Sequence, residues 1–128
     1  MFRLDEKISK EKAINMNPVV LAFIGDAVYS LYVREELAFN HDLKTGELNK
    51  LSSARVCAKT QADFISRIMD KLSEEELALY KRARNTKKGT KSKNSTVAEY
   101  NMSTGFEAIV GFLYVTGDEE RLNYLLNL

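Results

Sequence analysis

The sequence predicts an all-α fold, and three observations support that prediction. Apolar residues recur at spacings of three and four over long stretches, which is the period of a helix with a buried face. The 128 residues include one proline and six glycines, so few positions interrupt a helix. No segment alternates polar and apolar residues in the manner of a half-buried strand. A chain of this length can bury one hydrophobic core, so we expect a single domain over residues 1–128.

The first helix with clear boundaries is predicted to begin at Asn17 and Pro18, an N-cap residue followed by proline at the first helical position. It should continue to about Ala38. Apolar residues cover most of its circumference, so we expect it to be buried on nearly every side, either in the core or against a partner chain. The sequence leaves open whether residues 1–15 pack on the domain.

The middle of the chain predicts three further helices. Thr45 or Gly46 opens the first of them, after a polar loop. Its inward-facing residues should be Leu48, Leu51 and Val56. Two Ser/Thr positions downstream are followed three residues later by an acid, as in a capping box. These pairs are Thr60 with Asp63 and Ser73 with Glu76, and they predict helices near 60–72 and 73–84.

The last third of the chain begins with residues 85–95, which contain no apolar side chain and should form an exposed basic loop. Thr96, with a glutamate three residues later, is predicted to cap a short turn. Ser103 or Thr104 should then open a second very apolar helix. Gly117 is the expected C-cap of that helix, and an aspartate directly after it should cap a final amphipathic helix.

The formal net charge of +1 conceals two opposed regions. Seven cations and no acid occupy the stretch Lys81, Arg82, Arg84, Lys87, Lys88, Lys91 and Lys93. The other 12 cations face 18 acids, which leaves the rest of the chain at −6. From charge alone, a solvated surface and a segment that binds a polyanion are equally good interpretations.

Composition excludes several classes of site. Cys57 is the single cysteine, so neither an internal disulfide nor a cysteine zinc cluster is possible, and we expect it to be a small core residue. His41 is the single histidine and lies outside any nucleophile motif, which argues against Ser/His/Asp catalysis. The charged N-terminus and the absence of a long apolar run predict a cytoplasmic protein.

Two acids interrupt the two most apolar helices, Asp26 in the first and Glu107 in the second. A buried carboxylate costs several kcal/mol unless it is paired or binds a metal. A helix cap, a tyrosine hydroxyl, or an arginine such as Arg34 or Arg55 could satisfy either acid. Against that structural interpretation, glycines stand near both acids, where they would let two helices approach closely and bring the carboxylates together. These glycines are Gly25, Gly105 and Gly111.

A close pair of carboxylates repel each other unless a cation lies between them. Mg²⁺ is the usual cation where phosphate is the substrate, because it accepts one or two carboxylates and several waters. It lowers the pKa of bound water, neutralises charge on phosphoryl oxygens and orients the ester. Asp26 and Glu107 are therefore candidate ligands of Mg²⁺, and the basic loop could bind the polyanionic substrate.

Four ordered segments resemble the ribonuclease III family. The run LAFIGDAVYSLYVREEL resembles its signature helix, and STGFEAIVGFLYV resembles its second acidic helix. The segments SSARVCAKTQAD and KRARNTKKGTKSKN are similar to the Mini-ribonuclease III branch, which has the catalytic domain without a double-stranded-RNA-binding domain. The resemblance runs from about Asn17 to the C-terminus.

The resemblance implies the ribonuclease III catalytic-domain fold, working as a homodimer. It implies a magnesium centre in each subunit, with Asp26 and Glu107 at the catalytic metal-ligand positions, that cuts double-stranded RNA. The usual substrate of the branch is a stem in the precursor of large-subunit (23S) ribosomal RNA. Longer members carry further acids where this chain has Val19, Ala22 and Thr104, so we expect fewer protein ligands and more water around the metal.

Without a separate RNA-binding domain, the chain should grip the duplex through its basic loop. Duplex RNA is read through phosphates and 2′-hydroxyls, for which flexible cations suffice. The candidate RNA-binding residues are Arg82, Arg84, Lys87, Lys88, Lys91 and Lys93 in the loop, and Lys50, Arg55 and Lys59 on a neighbouring helix. Two alternatives stay open: a non-catalytic RNA-binding or ribosome-associated protein, and a helical protein-interaction module.

Overall fold

A computed structural model describes residues 6–89 and 94–128 of the chain. Within these two ranges, seven α-helices follow one another, with a short 3₁₀ turn, Met69–Lys71, after the fourth. They are α1 Lys10–Ile14, α2 Pro18–Asn40, α3 Thr45–Val56, α4 Ala58–Ile68, α5 Glu74–Asn85, α6 Val97–Val115 and α7 Glu119–Leu126. Neither described range contains a strand, so the prediction of an all-α fold is confirmed.

Helix α6 is the centre of the fold. It packs against α2 along most of its length and also against α4, α5 and α7. Every residue from Ser103 to Leu113 is buried except Glu107. The buried side chains of the other helices surround α6 in one continuous hydrophobic core, to which α1 contributes the fully buried Ala13.

Helices α2 and α6 cross in backbone contact, as the glycines near the acids predict. A Cβ atom on Gly25 would lie 1.8 Å from the carbonyl oxygen of Glu107, and one on Gly111 would lie 1.9 Å from that of Leu21. Neither position can therefore carry a side chain. Gly105 serves a different contact, because a Cβ there would meet the Tyr80 ring of α5 at 2.5 Å.

Side-chain caps fix several of the predicted helix boundaries. The Asn17 side chain accepts a hydrogen bond from the Val19 N–H at 2.9 Å and begins α2. Ser73 and Glu76 form the predicted capping box of α5. Gly117 adopts a left-handed φ of 74° directly after α6, as expected of a C-cap glycine. Asp118 then caps α7 through the Arg121 N–H.

Two predicted helix boundaries are wrong. The hydroxyl groups of Thr60, Ser103 and Thr104, which were the predicted N-caps, donate to carbonyls earlier in the chain instead of accepting from later N–H groups. Thr96 caps all of α6 rather than a short turn, and the hydroxyls of Ser103 and Thr104 donate to the Tyr100 carbonyl inside that helix. Helix α4 begins at Ala58, and the Thr60 hydroxyl donates to a carbonyl of α3 at 2.7 Å.

The single chain does not bury the first long helix on nearly every side, so the predicted burial would require its second alternative, a partner chain. Val20, Phe23 and Leu31 are 45%, 80% and 41% exposed along the outer face of α2. These residues recur at helical spacing, so they form one apolar stripe that no other part of the described chain covers. Leu51, expected inward, is 41% exposed on α3, and Cys57 is exposed at the α3–α4 junction rather than in the core.

Part of the N-terminal segment packs on the domain. The Ile8 N–H donates to the Val115 carbonyl at 2.9 Å, and Ser9 caps α1. Residues 1–5 lie outside the described ranges. Across those ranges, no helix combines the length and apolarity needed to cross a membrane.

Candidate active site

The crossing of α2 and α6 places Asp26 and Glu107 together. Asp26 directly follows Gly25, whose Cα lies against the backbone of Glu107. At this crossing the two carboxyl groups are within hydrogen-bonding reach of each other. The structure therefore brings together the two acids that interrupt the apolar helices, as the sequence predicts.

The two acids differ in their exposure to solvent. Glu107 is half-buried in α6, whereas Asp26 is exposed, so the expectation of two buried acids is wrong for Asp26. The reason is its position on α2, between the buried face and the outer apolar stripe, three residues after Phe23. The pair therefore forms a site that opens to solvent on the Asp26 side and closes behind Glu107.

Burial raises the pKa of Glu107, and the hydrogen bond and charge of the Asp26 carboxyl raise it further, to about 9. The Gln61 side chain acts in the opposite direction on the same pKa. Without a cation, Glu107 is therefore protonated at neutral pH, with the Asp26 carboxyl within hydrogen-bonding reach. A divalent cation would favour the ionised form of Glu107 and replace its proton.

Gln61 completes the surroundings of Glu107, and sequence reasoning missed it. It lies on α4, is 2% exposed and reaches the Glu107 carboxyl. A signal was present in the sequence, since Gln61, Ile65 and Ile68 share one helical face at spacings of four and three. An amide on an otherwise apolar stripe indicates a polar neighbour, and the neighbour that it faces here is an acid of α6.

The donor set fits Mg²⁺ held by few protein ligands. Within the two described ranges, no group of three or more His, Cys, Asp or Glu side chains could hold a metal. Two carboxylates with open solvent on one side match the preference of Mg²⁺ for one or two carboxylates and several waters. Thr104, at one of the positions where longer family members carry an acid, is buried and bonded within α6.

The arginines considered as alternative partners do not satisfy this acid pair. Arg55 forms an ion pair with Glu36 of α2, and Tyr32 donates to the same carboxylate at 2.9 Å. The hydrogen bond from Arg55 holds the pKa of Glu36 below its usual value. Arg34 is exposed on α2. The hydrogen bond between Glu107 and Asp26 therefore joins two acids, which is the arrangement that a cation stabilises.

Most of the predicted RNA-binding cations that the structure describes are exposed or lie at the end of α5. Lys50 and Lys87 are exposed, and Lys59 is exposed beside Asp63, 3.3 Å from its carboxylate. Arg82 and Arg84 lie at the end of α5, where Arg84 stacks over the Tyr80 ring and Arg82 reaches the Met16 carbonyl at 3.4 Å. Lys91 and Lys93 lie outside the described residues.

Lys88 has a different position from the other loop cations. Its ammonium group donates to the carbonyls of Ala83, Arg84 and Thr86 at 2.7, 2.9 and 2.7 Å. It is partly buried, and burial lowers its pKa. Lys88 thus satisfies the free carbonyls at the C-terminus of α5. Beside it, residues 84–89 and the first turn of α6 line an open groove of about 600 Å³.

The comparisons with known proteins agree with this fold and site. The family model described as the ribonuclease III domain matches residues 19–118, which include both acids. The chain belongs to the ribonuclease III family of endoribonucleases.

Its relatives point to one branch of that family. A Mini-ribonuclease 3 of Thermoanaerobacter sp. (strain X514) is 45% identical over 96% of this chain and 87% of its own. Another, of Clostridium tetani (strain Massachusetts / E88), is 41% identical over 98% of this chain and 83% of its own. The crystal structure of a Fusobacterium nucleatum protein matches with a TM-score of 0.81 and 34% identity, covering 88% of this chain and 90% of that one.

Proposed function

We propose that this endoribonuclease cuts double-stranded regions of structured RNA and depends on Mg²⁺ bound by Asp26 and Glu107. The observation that carries the proposal is the carboxyl pair at the glycine-lined crossing of α2 and α6. The family membership supplies the reaction class. A non-catalytic protein would gain nothing from an enclosed acid held beside a second acid.

The protein's own contribution to the reaction is orientation and charge. When bound, Mg²⁺ would supply Lewis-acid activation of water and neutralise charge on the phosphodiester. Glu107 is fixed by the backbone contact behind it, and Asp26 stands at the solvent side, where a phosphate of the duplex can approach. With Mg²⁺ bound, the carboxylates of Glu107 and Asp26 would lie side by side as its ligands. No side-chain nucleophile is required.

The basic end of α5 is the proposed contact for the RNA backbone. Arg82, Arg84 and Lys87 lie at or directly after the end of that helix, and the groove beside it opens to solvent. Lys91 and Lys93 continue the same run in the sequence. Lys50 and Lys59 are proposed as additional phosphate contacts. Among the described cations, Arg55 and Lys88 are partly buried and bonded to other groups of the fold, so neither is proposed as an RNA contact.

We also propose that two copies of the chain form the working enzyme. The exposed apolar stripe of α2 supports a dimer, since a second copy would remove Val20, Phe23 and Leu31 from water. Asp26 flanks this stripe. Two such sites would therefore stand close to the interface, one for each strand of a duplex.

For the natural substrate, we propose a stem in the precursor of large-subunit (23S) ribosomal RNA. The support is the similarity to proteins named Mini-ribonuclease 3 over most of the chain. The test is to incubate the purified protein with that precursor and with an unrelated duplex of equal length, and to compare the positions and rates of cleavage in the two RNAs. We expect cleavage at defined positions in the first, and equal, scattered cleavage of both would contradict the assignment.

Incubation with long duplex RNA tests the proposed reaction. We expect products in Mg²⁺, none in EDTA, and none from a single-stranded RNA of the same sequence. An Asp26→Asn protein of verified fold is the matched control for contaminating nuclease. Cleavage that persists in EDTA, or that is as fast with the Asp26→Asn protein as with wild type, would overturn the proposal.

A further inference from the structure

The side-chain amide of Gln61 has an unusual environment. Its Nε2 atom is buried without a hydrogen-bond partner, one of two such side-chain atoms in the described ranges. An unsatisfied buried donor destabilises the folded state, and most folded proteins avoid it. The surrounding face of α4 is apolar, with Ile65 and Ile68 on the same side. A leucine or methionine would suit this location better if packing were its only role.

The polar group that Gln61 faces is the Glu107 carboxyl. A carboxylate that holds a metal ion carries a full charge, and neighbouring side chains typically orient it by hydrogen bonds. A hydrogen bond to a charged acceptor is about twice as strong as one between neutral groups. The buried, unpartnered donor of Gln61 therefore lies beside a carboxyl group that is a proposed metal ligand.

We propose that Gln61 is a positioning residue, whose Nε2–H donates to the Glu107 carboxylate when a metal is bound there and holds that carboxylate toward Asp26. This inference rests on the proposed function, since it assigns a role at the same metal site. Side chains that orient metal ligands typically change metal affinity or activity by about 10–100-fold when they are removed. Gln61 does not touch the substrate in this role, and it acts through Glu107.

Gln61→Met tests the inference, because methionine keeps the length and apolar volume but lacks the donor. Ile68→Val is the matched control, a change in the core on the same face of α4. Melting temperature is measured without metal and over a Mg²⁺ titration, and kcat and KM are measured with duplex RNA. Gln61→Asn is a second variant, which keeps the amide but withdraws it by one methylene.

We expect Gln61→Met to melt at or above the wild-type temperature without metal, because it removes an unsatisfied donor. Its Mg²⁺ midpoint for stabilisation should rise about tenfold, with lower kcat and unchanged KM for RNA. Gln61→Asn should shift the midpoint in the same direction. Ile68→Val should lower the melting temperature and leave the midpoint within about twofold of wild type.

A Mg²⁺ midpoint close to that of wild type in both Gln61 variants would overturn the inference, whatever their melting temperatures. Asp26→Asn separates this failure from failure of the proposed function. If Asp26→Asn is inactive while both Gln61 variants bind Mg²⁺ normally, only the role of Gln61 is wrong. If Asp26→Asn still cleaves RNA, the metal site itself is misassigned.

Discussion

Glu107 is the residue on which the chemistry of the site depends, because its environment changes its protonation. Burial and the Asp26 carboxyl raise its pKa to about 9, far above the ordinary value of 4.5. A group whose pKa is higher in the folded state binds its proton more tightly there. That binding stabilises the folded protein fully below the unfolded pKa, and the stabilisation is lost as pH rises through the folded pKa.

The first prediction concerns Glu107→Gln in the metal-free protein. Wild type should lose stability as pH rises from about 5 to 9, whereas the variant keeps a neutral group at this position and should lose less. At a pH of about 8 we expect the substitution to raise the free energy of unfolding by about 1–3 kcal/mol. Urea unfolding in EDTA at several pH values measures this. The exposed acid Glu35, changed to Gln, is the control, and parallel pH curves for wild type and Glu107→Gln would contradict the raised pKa.

The second prediction separates two neighbouring lysines. Lys88 caps α5, so Lys88→Met should destabilise the protein by about 1 kcal/mol. Lys87 is exposed, so Lys87→Met should leave stability unchanged and lower the slope of log affinity for RNA against log salt by about 1. Thermal unfolding and a salt series of RNA binding measure the two effects. Equal salt slopes for Lys87→Met and wild type would remove Lys87 from the contact surface.

At the scale of elements, the α2–α6 crossing determines whether the acids meet. Its two glycines allow backbone contact that no side chain could replace. The sequence indicates this contact correctly, because glycine is disfavoured inside a helix unless a neighbouring backbone occupies the space of its missing side chain. The same pattern does not predict that Gly105 packs against α5 rather than α2, since spacing alone does not identify which neighbouring helix a small residue contacts.

The third prediction tests that crossing with two glycine substitutions. Gly25→Ala should destabilise the protein by about 3 kcal/mol or more, because its Cβ would lie 1.8 Å from the Glu107 carbonyl oxygen. Gly46→Ala in α3 is the matched change, since a Cβ there meets no atom within 4 Å. It should be neutral or stabilise the helix by up to about 1 kcal/mol. Equal stabilities of the two variants in urea would mean that the crossing is not in backbone contact.

The parts of the site that sequence reasoning missed depend on contacts between distant segments. The exposure of Asp26 follows from how α2 is rotated against α6, and the role of Lys88 follows from where α5 ends. Gln61 and Glu107 lie close together although they belong to two different helices, α4 and α6. Caps with a local pattern, such as Asn17 and the Ser73 box, were predictable because both partners lie within a few residues.

At the scale of the whole molecule, the apolar stripe of α2 is a surface that the single chain leaves uncovered. Phe23 belongs to this stripe, beside the acid site, and its side chain is 80% exposed. Complete burial of α2 would therefore need a partner surface, such as the second copy proposed above. The molecule also separates its charges, with cations at the end of α5 and acids at the α2–α6 crossing.

The fourth prediction is that Phe23→Glu abolishes the proposed dimer. Phe23 makes little contact within its own chain, so the substitution should leave the fold intact while it places a charge from each copy at the interface. Sedimentation should give twice the chain mass for wild type and one chain mass for the variant. Val97→Glu, at another exposed apolar residue on α6, is the control and should keep the wild-type mass. A single-chain mass for wild type at micromolar concentration would contradict the dimer.

The central claim is that Asp26 and Glu107 together form the catalytic metal site. Its most direct test is the cleavage rate of duplex RNA in Mg²⁺ by Asp26→Asn and Glu107→Gln, with folding checked by circular dichroism and RNA binding measured separately. We predict that each substitution lowers cleavage about a thousandfold while RNA binding stays close to wild type. Cleavage within about tenfold of wild type by either folded variant would contradict the claim.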